Sequence, residues 1–186
     1  MPHNKQMQLE ATVLNFETER MLIRPLSLDD APALTAILSD AEVMKYSVRG
    51  ACDEAATSTF IKWCLSCYES HSIGPLALID KESRDIIGFC GVGPEPVGEA
   101  VEINLGYRLA KRYWGLGLAT ESVRAVLAYA LGENAFKSVV MIIEPEHGAS
   151  MRVAEKAGFT DFKNTRFHGR EVRLYRMTSE QWSSCV

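Results

Sequence analysis

Leu105-Gly106-Tyr107-Arg108-Leu109-Ala110-Lys111-Arg112-Tyr113-Trp114-Gly115-Leu116-Gly117-Leu118-Ala119-Thr120-Glu121 is the stretch on which the fold turns. Upstream, Val101 to Leu109 holds mostly strand-forming residues. Downstream, Leu118, Val123, Val126, Leu127, Ala130 and Leu131 recur at helical spacing. The segment therefore predicts a strand, a tight basic turn and a helix whose first turn carries little side-chain bulk. N–H groups in the first turn of a helix lack intrahelical partners and attract anions. Glycine admits a phosphate to the backbone without a Cβ in the way, and Arg108, Lys111 and Arg112 add positive charge. One reading is a pyrophosphate cradle, built from the backbone of Gly115, Leu116, Gly117, Leu118, Ala119 and Thr120. The other is a tight connection whose glycines serve packing alone.

Composition narrows the setting. A chain of 186 residues, 47% hydrophobic and 24% charged, has the profile of a globular domain able to build a core without disulfides. Residues 1–15 are expected to be a flexible tail or short lead-in, and 16–186 a single domain. A net charge of -4 speaks against a protein that coats nucleic acid. No apolar run reaches the roughly 20 residues that span a bilayer, and Met1 to Gln8 lacks a secretory h-region. A cytoplasmic protein with no membrane or direct nucleic-acid partner is expected, as monomer or homodimer. The five cysteines follow no disulfide spacing. Cys64 and Cys67 form a C-x-x-C within an apolar helical run, without a second pair to complete a zinc site, so buried thiols and no metal are expected.

Along the chain, Arg20 to Pro25 alternates as a strand. Ser27 with Asp30 resembles a capping box, opening a helix through Leu38, and Asp53 opens a longer helix through about Glu69. Leu76–Ile79 and Ile86–Val92 predict a hairpin, with Gly93–Gly98 as a proline-bearing loop. Ser138–Ile143 is an apolar run suited to a strand buried on both faces. Ala149–Lys156 is a short helix stopped at Gly158. Phe159–Phe167 and Val172–Met177 predict a second hairpin. The order β-α-α-β-β-β-α-β-α-β-β is a mixed α/β layer around one β-α-β unit, not the alternation of a doubly wound dinucleotide fold.

This order, the Tyr113–Glu121 segment and Ala149-Ser150-Met151-Arg152-Val153-Ala154-Glu155-Lys156-Ala157-Gly158-Phe159 together resemble the GNAT family of N-acetyltransferases. Glu17–Leu26 and Tyr175–Trp182 resemble, more narrowly, its ribosomal-protein alanine N-acetyltransferase branch. The resemblance implies an α/β fold with a central mixed sheet of about six or seven strands flanked by helices. It also implies acetyl-CoA as co-substrate, with its pyrophosphate on the 115–120 backbone. Trp114 stands where the family pattern has Gln or Arg. Tyr107, Arg108 and Leu109 would meet the pantetheine arm as if it were an added strand, provided the next strand splays away. His147 stands where relatives carry Asn, and could supply a similar hydrogen bond. Ala154 stands where many relatives carry the Tyr that protonates the departing thiolate. In the alanine-acetylating branch a Ser at the position of Ser150 is proposed for that task, with a helix N-cap as its competing role.

The chemistry sets its own requirements. A protein α-amine, with a pKa near about 8, needs only modest help to lose its proton. The oxyanion needs a donor, which an N–H near Leu109 could provide. Glu102 and Asn104 share one face of the central strand, which makes Glu102 the candidate base and Asn104 its neighbour; the competing role for Glu102 is a surface carboxylate beside Arg108. The expected reaction is direct acetyl transfer to a primary amine, foremost a protein N-terminus. A small amine or aminoglycoside is the alternative acceptor, and a non-catalytic acyl-CoA sensor the alternative of another class.

Overall fold

A computed structural model describes residues 15–133 and 136–185. The expected tail, residues 1–15, lies outside them except for Asn15. One eight-stranded sheet runs β1-β2-β3-β4-β5-β6-β8-β7. Its strands are β1 (Phe16–Glu17), β2 (Met21–Pro25), β3 (Pro75–Asp80), β4 (Ile86–Val97), β5 (Ala100–Leu109), β6 (Ser138–Ile143), β7 (Phe162–Phe167) and β8 (Arg170–Thr178). Every neighbouring pair is antiparallel except β5 and β6. That parallel pair requires a crossover, supplied by α3 (Leu118–Leu127) and a wider π turn over Ala128–Glu133. The expected mixed α/β architecture is thus the one observed.

Helices cover both faces. α1 (Ala31–Leu38) and α2 (Glu54–His71) pack with Ala77 and Ile79 of β3 on one side. On the other, α3 and α4 (Gly148–Ala157) join Leu78, Leu105, Leu109 and Met141 in the main core. β3 sends alternate side chains into both layers, which is why it reads as an unbroken apolar run. Each fully buried Leu or Ile contributes about 1.5–3 kcal/mol, so the sheet is anchored from both sides. The capping box at Ser27 forms, with its N–H donating to Asp30 Oδ2 at 2.8 Å.

Two expectations change. Gly93–Gly98 is not a loop: β4 continues through Pro94 and Pro96 to Val97, paired with β5 to its end. The N–H of Ala110 donates to Ile87 C=O at 2.9 Å, so Ile87 and every second residue onward in β4 are hydrogen-bonded to β5. The two prolines fall between, and their ring nitrogens face the side where β3 has already ended. No donor is missed there. The second hairpin starts later than expected, at Phe162, and a further helix, α5 (Ser179–Cys185), closes the chain.

β5 and β6 pair in register only at Asn104–Val140. Just before that point Glu102 and Ser138 are tied to Arg176 of β8. Arg176 Nη1 and Nη2 reach the Glu102 carboxylate at 3.0 and 2.6 Å, and Nη1 also reaches Ser138 Oγ at 2.8 Å. A fork of this kind spans three strands and pins them where they are still joined. Glu102→Gln is expected to lower unfolding free energy by about 1–2 kcal/mol, because Arg176 loses its counter-charge in a half-buried site. Urea denaturation followed by circular dichroism measures it.

Candidate active site

Past Asn104 the central pair of strands is no longer in register, and a gap opens. Because Ala110 and Arg108 belong to the residues bonded to β4, Tyr107 and Leu109 turn their own N–H and C=O groups the other way, into that gap. Tyr107 C=O accepts from Arg108 Nη1 at 2.6 Å, and Leu109 C=O from Trp114 Nε1 at 2.8 Å. This is strand edge without a strand partner, as an added extended ligand requires.

At one end of the gap lies a cleft of about 1010 Å³ lined by Trp114, Gly115, Gly117, Leu118, Ala119 and Thr120. Gly115 and Gly117 have φ of +75° and +82°, a left-handed conformation that L side chains resist. A Cβ built at Gly115 would meet nothing within 4 Å, so the turn stays open toward the cleft. Gly117 is the N-cap of α3, and Glu121 N–H already bonds Gly117 C=O at 3.1 Å. The preceding N–H groups, those of Leu118, Ala119 and Thr120, have no place in the helical ladder and are available to an anion. Arg20 braces the turn: Nη1 donates to Leu116 C=O at 2.7 Å and Nε to Glu121 Oε2 at 2.7 Å. The Leu116 side chain is exposed and its carbonyl faces Arg20. Arg152 and Lys156 of α4 line the same cleft. Their i, i+4 spacing was visible in the sequence. Of the basic residues near the turn only Arg108 shares this cleft; Lys111 and Arg112 point away and pair with Glu42 and Asp85.

Beyond the gap are a pocket of about 760 Å³ against α2 and a wider mouth of about 1560 Å³. Tyr107 and Arg108 line both of these and the cleft as well, so the three spaces meet at these two residues. Asn104 and Glu95 line pocket and mouth. Asn104 Oδ1 is buried without a hydrogen-bond partner, an arrangement that a buried acceptor does not hold cheaply. Burial pushes the Glu95 carboxyl above its ordinary range, against the opposing pull of His168 and Arg49. Glu102 lines neither space; its hydrogen bond to Arg176 holds its carboxyl low, against the smaller effect of burial. Its charge partner is therefore Arg176 and not Arg108. Glu95 escaped the sequence reading because it lay in the supposed loop; only the strand through Pro94 and Pro96 brings it opposite Glu102.

Ser150 is buried, and its Oγ lies 2.9 Å from Tyr107 Oη. The N-cap of α4 is His147, so Ser150 sits inside the first turn and the capping role falls away. Ala154 is fully buried, and the phenol nearest Ser150 comes instead from β5. His147 stacks on Tyr46 with ring centroids 4.0 Å apart, and Tyr46 Oη reaches Glu146 C=O at 3.3 Å. The α1–α2 connector thus straps across the site. Burial, then the charge of Arg108, lowers the His147 pKa to about 4, so the imidazole is neutral at physiological pH. Among the described residues no group of three His, Cys, Asp or Glu could hold a metal ion. Cys64 and Cys67 are free and buried, with burial raising both thiols.

A parted β5–β6 pair, an anion-binding helix start and two spaces meeting at the parting define an acyl-CoA-dependent N-acyltransferase. The acetyltransferase (GNAT) domain family matches residues 20–160, and the chain belongs to that family, whose co-substrate is acetyl-CoA. An uncharacterised Bacillus subtilis protein, YkkB, is 30% identical over 163 residues, 87% of this chain and 94% of its own. A crystal structure of an acetyltransferase from Agrobacterium tumefaciens superposes with TM-score 0.77 at 26% identity, covering 89% of this chain and 95% of that one. An aminoglycoside acetyltransferase solved with coenzyme A shares the fold, with TM-score 0.72 at 16% identity over 87% and 96% of the two chains.

Two outcomes are expected. Thr120→Glu adds an acid to the first turn of α3, which the helix dipole favours, but sets a like charge where phosphates would rest. Melting temperature should hold or rise while coenzyme A affinity by calorimetry falls at least about tenfold. His147, with a folded pKa below its unfolded one, takes up its proton more readily in the unfolded chain. Its contribution to stability is therefore fully present above pH about 6.5 and is lost as pH falls toward 4. NMR titration should show its imidazole still neutral at pH about 5.5.

Proposed function

We propose that the protein moves the acetyl group of acetyl-CoA directly onto an α-amine, with Glu95 as general base and Ser150, backed by Tyr107, as proton donor. The observation that carries this reading is the meeting of the three spaces at Tyr107 and Arg108. An amine resting by Asn104 and Glu95 is beside the same backbone that borders the cofactor cleft. Bound acetyl-CoA supplies an activated thioester. The backbone of Leu118, Ala119 and Thr120 meets its phosphates, with Arg152 and Lys156 opposite, and the free edge of Tyr107 and Leu109 orients its arm. Glu95 takes the amine proton, and the buried, unpartnered Oδ1 of Asn104 accepts the amine's second N–H. A new N–C bond replaces the C–S bond, and the sulfur leaves with a proton from Ser150 Oγ, which Tyr107 Oη can renew across 2.9 Å. The N–H of Leu109 or Tyr107 faces the gap as oxyanion donor.

An α-amine is favoured over a lysine because one carboxylate suffices for a pKa near about 8 but serves poorly near about 10.4. The charge balance of the acceptor spaces disfavours an aminoglycoside. Arg49, Arg108 and Arg170 face them against Glu95 and Glu144, and Glu144 is already paired with Arg170. A cytoplasmic setting belongs to the same proposal, as does a single catalytic domain over residues 16–186.

Glu95→Gln should lower kcat/KM by about 10–100-fold. The wild-type rate should fall as pH drops through a pKa above that of an exposed glutamate, and this acid limb should vanish in the variant. Ser150→Ala should lower kcat more than coenzyme A affinity. Thiol release measured from pH 5 to 9 gives the rates, and calorimetry gives the coenzyme A affinity. Cofactor binding without thiol release for any amine would instead mark a sensor.

A further inference from the structure

We infer that the acceptor is a free apolar α-amino acid, held by its carboxylate as well as by its amine; this rests on the acetyl-transfer reading above. The pocket against α2 has three kinds of wall. Phe60, Trp63 and Phe89 form an aromatic floor, with Phe60 centroids 6.0 Å from Trp63 and 4.9 Å from Phe89. The Trp63 ring lies so close to Gly93 that a Cβ there would come within 2.8 Å of Cη2, so this part of β4 has room for the indole only because it is bare. Glu95 and Asn104 stand on a second side as the amine site. On the third stand Arg49, from the α1–α2 connector, and Arg108.

Arg108 is the unusual one of these two guanidiniums. Among the described residues, neither has a carboxylate within 4.0 Å. Arg108 is largely buried, its one hydrogen bond goes to the neighbouring Tyr107 carbonyl, and burial lowers its pKa. Arg49 lies over the Phe60 ring with Cζ 5.8 Å from the centroid. Arg49 is exposed at the pocket rim and its charge acts on Glu95, so Arg108 is the cation whose desolvation without a counter-ion is costly; a guanidinium is shaped to take a carboxylate through two parallel hydrogen bonds. The pocket therefore displays an anion site, an amine site ending in an orphaned acceptor and an aromatic floor. A zwitterion with an apolar side chain satisfies all three. A protein N-terminus has the amine and the side chain, but an uncharged peptide bond where the carboxylate should be.

The reaction balances as for any α-amine. The amino nitrogen bonds to the acetyl carbon, its proton passes to Glu95, the C–S bond breaks and the sulfur takes a proton from Ser150. The product is an N-acetylated amino acid with its carboxylate intact.

The test compares free L-phenylalanine, L-leucine and L-methionine with their carboxamides and with tripeptides beginning with the same residues. Thiol release gives kcat/KM, and calorimetry in saturating coenzyme A gives affinity. Free acids should exceed the matching amides and tripeptides by at least about tenfold in both measures. Arg49→Gln, checked for an unchanged melt, should lower the acid-to-amide ratio several-fold, with Arg108 still in place. Equal use of acids, amides and tripeptides, or a ratio untouched by Arg49→Gln, would overturn the carboxylate site and leave acetyl transfer standing. Failure of every amine despite coenzyme A binding would overturn both.

Discussion

The parting of β5 from β6 beyond Asn104 and Val140 is the constraint on which the site depends. Each strand has a secure antiparallel partner on its outer side, β4 for β5 and β8 for β6. Each therefore stays extended after the pair has separated, and the edge groups of Tyr107 and Leu109 are exposed to a gap instead of being lost to a coil. The Glu102–Arg176–Ser138 cluster sits at the joined end. It holds that end closed, while past Asn104 the two strands stand apart. The same strand thus carries a structural carboxylate and, two to seven residues on, the groups that face the gap.

Electrostatics divides the site along the same line. The cleft at the start of α3 is positive through backbone N–H groups and through Arg152 and Lys156 of α4. The pocket against α2 mixes Glu95 with the guanidiniums of Arg49 and Arg108. His147, at the boundary, is kept neutral by burial and by Arg108, so the stack of His147 on Tyr46 adds no cation to a region already rich in arginine. The α1–α2 connector closes over these residues and also reaches the basic turn through Lys111 Nζ and Glu42 Oε2 at 2.7 Å. That one segment thus touches both the pocket against α2 and the turn before α3.

Much of the fold was legible because its signals are local. The change from strand to helical spacing around Gly115 and Gly117 marked the β-α junction, and the apolar run Ser138–Ile143 marked a strand buried on both faces. What failed was pairing at a distance. Pro94 and Pro96 look like loop residues until their nitrogens are seen to face the empty side of β4. Nothing near Glu102 announces Arg176, 74 residues away, and nothing near Arg108 announces that it is buried without a carboxylate beside it. α5 has little apolar periodicity, since Ser179–Cys185 offers small and polar residues around a single tryptophan. The open glycine turn at the start of α3, built from local backbone, could be read from the chain; the pocket against α2, built from register and charge pairing, needed the structure.

The central claim is that the free edge of β5 and the first turn of α3 together receive the coenzyme. Amide chemical shifts during titration with coenzyme A test it most directly. The largest changes should fall on the N–H groups of Tyr107, Leu109, Leu118, Ala119 and Thr120, while those of β7 at the far edge of the sheet hold still. Saturable binding that left these five amides unmoved would contradict the account.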